Sequence, residues 1–207
     1  LGYTCTVLHV GSGQEDDEAA RDLLVAVVQA GQADGHPLYV ETHRATVTQD
    51  PWRTLRFAEA LPELAFNCDF SHWYTGSELT YGDLHAKIER LRPVFERCRY
   101  VHGRLSTPGC IQITVEEARR DGHLAVFEQV WGMVFDAARR DGRGPPPFVV
   151  ELLPAQFNYA RRVAGPDGAL REEGDRWSEA LALAGIAREL WRRTSPASAA
   201  PPSTARG

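Results

Sequence analysis

The sequence predicts an α/β fold, a (β/α) barrel of the TIM type with about five of the usual eight βα units. Three observations predict it. Short apolar runs recur at Cys5 to His9, Leu38 to Glu41, Leu64 to Phe66, Arg99 to Arg104 and Phe148 to Leu152, each bounded by turn-forming residues. Helical periodicity fills the gaps, and alternating strands and helices make a parallel sheet with right-handed crossovers. Each run also hands over to polar groups: His9, Glu41, the set Asn67, Asp69 and His72, then His102 with Arg104, then Glu151. Buried parallel strands are apolar along their length, and barrel strands aim their carboxyl ends at the catalytic face. Polar termini on successive strands therefore favour a barrel over an open sheet.

The elements follow in order. The first strand, Thr4 to Val10, leads through the turn Gly11-Ser12-Gly13 into a helix over Gln14 to Ala30. Ala19, Leu23, Val27 and Ala30 mark its apolar face, acidic Glu15 to Glu18 suit its positive end, and Gly31 and Gly35 close it. Strand Leu38 to Glu41 precedes a helix that starts at Asp50-Pro51, a cap followed by a first-turn proline, and runs to Pro62. After the strand Leu64 to Phe66, Thr80 to Cys98 reads as a helix that Pro93 should kink or end early. Strand Arg99 to Arg104 is followed by a loop, Leu105 to Thr114, long enough to reach over a site. Val115 to Asp141 is helical with a break near Gly122, and Gly142 to Pro147 turns into the last strand. A closing helix, Trp177 to Arg193, carries Trp177, Leu181, Ala184 and Leu190 on one stripe.

Length bounds the architecture. A complete barrel takes eight units and about 250 residues, so with the first strand at Thr4 roughly three N-terminal units are expected to be missing. Residues 1–193 then form the C-terminal portion of a barrel, and 194–207, rich in Ala, Ser and Pro, a disordered tail. An incomplete barrel exposes two sheet edges, which predicts poor solubility or pairing with another chain, a homo-oligomer included.

Composition excludes several classes. The net charge of −5, with both signs interspersed, argues against nucleic acid as a partner. No run of about eighteen apolar residues and no signal peptide supports a membrane or secreted protein. Cys5, Cys68, Cys98 and Cys110 lack CxxC spacing and read as reduced thiols of a cytoplasmic protein, Cys5 and Cys68 as small core residues. Gly11-Ser12-Gly13 lacks the third glycine of a dinucleotide fingerprint.

The chemistry sits on Glu41, Asp69, His102 and Glu151, the polar ends of successive strands. Alone, each has a bland reading as a cap, an ion-pair partner or a satisfied core histidine. Three carboxylates and an imidazole converging on one mouth would repel unless a cation sat among them. Hard oxygen ligands with one nitrogen suit a single divalent ion, Mn²⁺ or Mg²⁺ first, with Co²⁺ and Zn²⁺ as alternatives.

Glu-Thr-His-Arg at 41–44, Asn-x-Asp-x-Ser-His-Trp at 67–73, His-x-Arg at 102–104 and Glu-Leu at 151–152 carry a resemblance. Over about Thr4 to Tyr159 the chain resembles the xylose-isomerase-like TIM-barrel superfamily, in its sugar phosphate isomerase/epimerase branch. That resemblance implies one divalent metal held by Glu41, Asp69, His102 and Glu151, with substrate oxygens held by His72 and Arg104. It implies a small sugar substrate, and isomerisation or epimerisation by proton transfer through a metal-stabilised enediolate. Glu41 and Glu151 then serve as ligands and proton carriers, one as base and the other as acid.

Weaker candidates surround these. His43 and Arg44 follow Glu41, and His9 ends the first strand; His43 and His9 are candidate substrate-binding residues, with loop pairing as the alternative. Gln112 could reach substrate from its loop, and Trp73 and Tyr159 could wall the pocket, although plain packing is commoner for aromatics. Two other functions compete. A metal-dependent endonuclease-like hydrolase on this scaffold would need more histidines and a basic face, and a non-catalytic sugar-binding fragment would bind metal without exchanging substrate protons.

Overall fold

The structure, a computed structural model, describes residues 2–193. The tail expected at 194–207 lies outside the described residues. Five parallel strands, β1 (Thr6–Leu8), β2 (Leu38–Glu41), β3 (Phe66–Cys68), β4 (Cys98–Gly103) and β5 (Phe148–Val150), lie side by side in chain order. The sheet curls into a half-barrel with β1 and β5 at its edges. Parallel neighbours in chain order require a crossover between every pair. These are supplied by α1 (Asp17–Asp34), α2 (Pro51–Ala60), α3 (Phe70–Gly76), α4 (Leu84–Phe95), α5 (Val115–Arg120) and α6 (His123–Arg140). After β5 an antiparallel hairpin, β6 (Arg162–Ala164) and β7 (Leu170–Glu172), leads to α7 (Arg176–Arg193).

Local chemistry starts the helices where the site needs them. Asp16, Asp50, Asp83 and Thr114 cap α1, α2, α4 and α5, each accepting an N–H from the first turn. The core lies between the sheet and the helices. Phe70 meets Phe95 and Phe127 edge-on, and Trp131 meets Phe148 edge-on at 5.0 Å. Gly103 permits the last of these contacts, because a Cβ there would overlap the Phe148 ring. That close approach sets β5 against β4, with His102 opposite Val149 and Glu151 just beyond.

Several sequence expectations need correction. α1 starts at Asp17 and passes through Gly31, ending only where Gly35 adopts φ 59° and its N–H reaches the carbonyls of Gln32 and Gly31. Its buried face is Ala20 and Leu24, whereas Leu23 is exposed. α4 begins at Leu84, capped by Asp83, and Pro93 does not end it, because the fully buried Val94 and Phe95 hold the last turn in place. α7 buries Leu183, Ala187 and Leu190, leaving Trp177 and Leu181 on the solvent side. α3 and the β6–β7 hairpin are elements beyond those the sequence pattern predicts. Among the described residues no helix is long and apolar enough to cross a membrane.

Candidate metal centre

Glu41 is the last residue of β2 and pairs in register with Asn67 of β3. The Asn67 side-chain amide donates to Glu41 Oε2 at 3.1 Å, fixing the carboxylate. Asp69 follows β3 and caps α3, its Oδ1 accepting the Ser71 N–H at 3.1 Å. Thr42 ties the two strand ends together, since its hydroxyl accepts the Asp69 N–H at 2.9 Å. His102 projects from β4, and its Nδ1 lies 3.4 Å from Glu41 Oε2, 3.4 Å from Glu151 Oε2 and 3.8 Å from Asp69 Oδ2. One ligand atom from each of Glu41, Asp69, His102 and Glu151 lies within 4.8 Å of all the others. The structure thus brings together the four residues that the strand ends nominated.

Arg104 supplies the countercharge. Its guanidinium is buried, bonds Asp69, reaches Glu151 Oε2 at 2.8 Å and donates from Nε to Ser71 Oγ at 3.1 Å. Burial alone would raise the Asp69 carboxyl, but the Arg104 charge beside it holds it well below the usual carboxylate range. His102 and Arg104 likewise keep Glu151 lowered against its partial burial. Burial works against a charged His102, yet the flanking Glu151 and Glu41 carboxylates raise it to about 10. The protonated imidazole therefore lies among the three carboxylates. His102 Nδ1 and Asn67 Oδ1 are both buried without a hydrogen-bond partner. The three carboxylates and the His102 ring nitrogen make a donor set of the kind that could hold a divalent ion.

The other candidate residues lie close by, in different settings. His72 is buried, and that burial pushes its pKa down to about 3, so the ring is neutral at ordinary pH. The His43 ring packs at a tilt against both His9 and His72, with ring centroids 4.1 and 3.9 Å away. His9 is half exposed, with Nε2 3.4 Å from Glu41 Oε2. His9, Glu41 and His43 form a second group whose ligand atoms also lie within 4.8 Å of one another. Arg104, expected at the substrate, spends Nε and Nη2 on protein groups and retains only Nη1 unpartnered.

Two expectations about the walls change. Trp73 is buried in the core and donates its indole N–H to the Thr48 carbonyl at 2.7 Å, so it lines no pocket. Gln112 is engaged with the backbone: its amide exchanges two hydrogen bonds with Leu153, at 3.0 and 2.9 Å, and pins the segment that carries Glu151. Tyr159 does stand at the edge of the site, 4.7 Å from the Arg104 guanidinium. Asn67 fixes the Glu41 carboxylate, and Ser71 joins Asp69 to Arg104. Their positioning roles follow from hydrogen bonds that no spacing rule encodes.

No protein-family model matches the chain, and a search of curated proteins likewise found no match.

Proposed function

We propose that this chain is part of a TIM-type barrel of the xylose-isomerase-like kind, acting as a divalent-metal-dependent isomerase or epimerase of small sugars. The observation that carries the reading is the convergence of Glu41, Asp69, His102 and Glu151 from four neighbouring strand ends. A bound Mn²⁺ or Mg²⁺ supplies Lewis acidity to a sugar carbonyl and positive charge for the anion formed on deprotonation. The four ligands hold that ion, and Arg104 balances the carboxylates from beneath.

The proton work falls to the two glutamates. Glu151, with its side chain 34% exposed, faces the open side of the cluster, where a substrate C–H can approach it. Glu41 is buried on the other side, and the half-exposed His9 beside it gives its proton a route to solvent. His43 and the neutral His72 offer ring nitrogens to sugar hydroxyls. The Nδ1 atoms of both are buried without a partner.

The second group of ligands, His9, Glu41 and His43, favours a second reading, a metal-dependent hydrolase in which the two groups, sharing Glu41, would hold two ions. Two measurements separate them. A panel of aldoses and ketoses, incubated in D₂O with the Mn²⁺-loaded chain, is followed by NMR for exchange at the carbon next to the carbonyl. The isomerase reading expects exchange that Glu151→Gln abolishes, with one metal per chain. Two metals per chain and no exchange with any sugar would support the hydrolase.

A further inference from the structure

Beside the metal centre lies a groove of roughly 450 Å³ whose lining includes Arg44, Asn158, Tyr159, Arg161 and Arg162. Its three guanidiniums are not equivalent. Arg161 is engaged, since it bonds both Glu117 and Glu173. Arg162 is exposed on β6, opposite Glu172 of β7. Arg44 is partly buried, and among the described residues its guanidinium has no carboxylate or carbonyl partner. It lies instead over the Tyr159 ring, 5.4 Å from the centroid.

That ring links the groove to the chemistry. The Arg104 guanidinium lies 4.7 Å from the same centroid, and the His72 ring lies 6.4 Å away. Tyr159 therefore contacts both a cation neutralised by Asp69 and Glu151 and one that has no counterion among the described residues. A half-buried charge without a counterion is costly. Contact with an aromatic face orients the guanidinium and leaves its edge N–H groups available. That edge presents a planar fork matched to the paired oxygens of a phosphate or carboxylate.

We propose that this groove receives an anionic terminal group, phosphate or carboxylate, of the sugar whose carbonyl end lies at the metal centre, and that Arg44 is the residue selecting it. This rests on the sugar reading above. Arg44 then sets which substrates bind, while the four ligands and the glutamates set what happens to them.

Three hexoses differing only at C6 test it: glucose, glucuronate and glucose 6-phosphate. Each is titrated calorimetrically into the Mn²⁺-loaded full chain, parent and Arg44→Gln, and inorganic phosphate is titrated into both chains without metal. The expected result is that an anionic hexose binds the parent about ten- to a hundredfold more tightly than glucose. Arg44→Gln should erase that preference and weaken inorganic phosphate by a similar factor, with metal binding unchanged. Which hexose gains shows whether phosphate or carboxylate is the group read. An equal affinity for all three hexoses in the parent, or a preference that survives Arg44→Gln, overturns the proposal while leaving the metal reading intact. Arg44-dependent phosphate binding by a chain that takes no metal would instead remove the sugar reading and leave an anion site.

Discussion

Arg104 and Glu151, at the ends of adjacent strands, form an ion pair of 2.8 Å, and the same guanidinium nitrogen also bonds the fully buried Asp69. One cation thus holds together two of the four ligands before any metal arrives. Removing it leaves a buried carboxylate without compensation, which typically costs about 3–5 kcal/mol. Arg104→Ala should therefore lower stability by that order in urea titrations made with a chelator present. Arg104→Lys, which keeps the charge but loses the fork, should lose less. An Arg104→Ala chain as stable as the parent would mean that the pair does not organise the site.

The proton on His102 makes a second prediction. Its folded pKa, about 10, lies above the ordinary value of 6.5, so its contribution is complete below about pH 6.5 and is lost as pH rises through 10. Thermal unfolding of the metal-free chain should move to lower temperature across that window. His102→Gln should flatten the profile there. Metal must displace the same proton, so apparent Mn²⁺ affinity should climb over the same range, and proton release should be visible in buffers of different ionisation enthalpy.

Gly103 sets the distance between β4 and β5. Gly103→Ala would drive a methyl into the Phe148 ring, and overpacking of this kind usually costs about 1–3 kcal/mol. The expected signature is a stability loss accompanied by weaker metal binding, because Glu151 moves with β5. Phe148→Leu in the Gly103→Ala background should restore part of both.

His9 and His43 separate substrate contact from metal ligation. Under the one-metal reading, His9→Gln and His43→Gln should raise KM or slow exchange while leaving metal stoichiometry at one per chain. A drop from two metals to one in either variant would assign these rings to a second ion.

The strand ends were legible in the sequence because a short apolar run followed by a carboxylate or imidazole is a local pattern, and in a parallel sheet the pattern repeats in register. That is why Glu41, Asp69, His102 and Glu151 could be named before their geometry was known. α3 escaped because Phe70 to Gly76 is rich in aromatic and hydroxyl residues with weak helix preference. Its helicity comes from the Asp69 cap and from burial of Phe70, Trp73 and Tyr74. The stripe assigned to α7 was displaced because periodicity gives the spacing of a face without saying which face a neighbour covers. Here the face carrying Leu183, Ala187 and Leu190 is the one buried. The pairing of Arg44 with Tyr159 joins segments far apart in the chain, and neither residue carries a local signal for it. The β6–β7 hairpin had a usable cue, the turn residues Pro166-Asp167-Gly168, but its flanking strands are exposed and lack an apolar alternation.

The central claim is that four strand-end side chains form one metal site, and calorimetric titration of Mn²⁺ into the parent and Glu151→Gln tests it most directly. Glu151 is the most exposed of the four ligands, so this variant should keep the fold, which circular dichroism can verify. The account predicts saturable binding by the parent, weakened at least about tenfold in the variant. No binding by the parent, or equal binding by both, would contradict it.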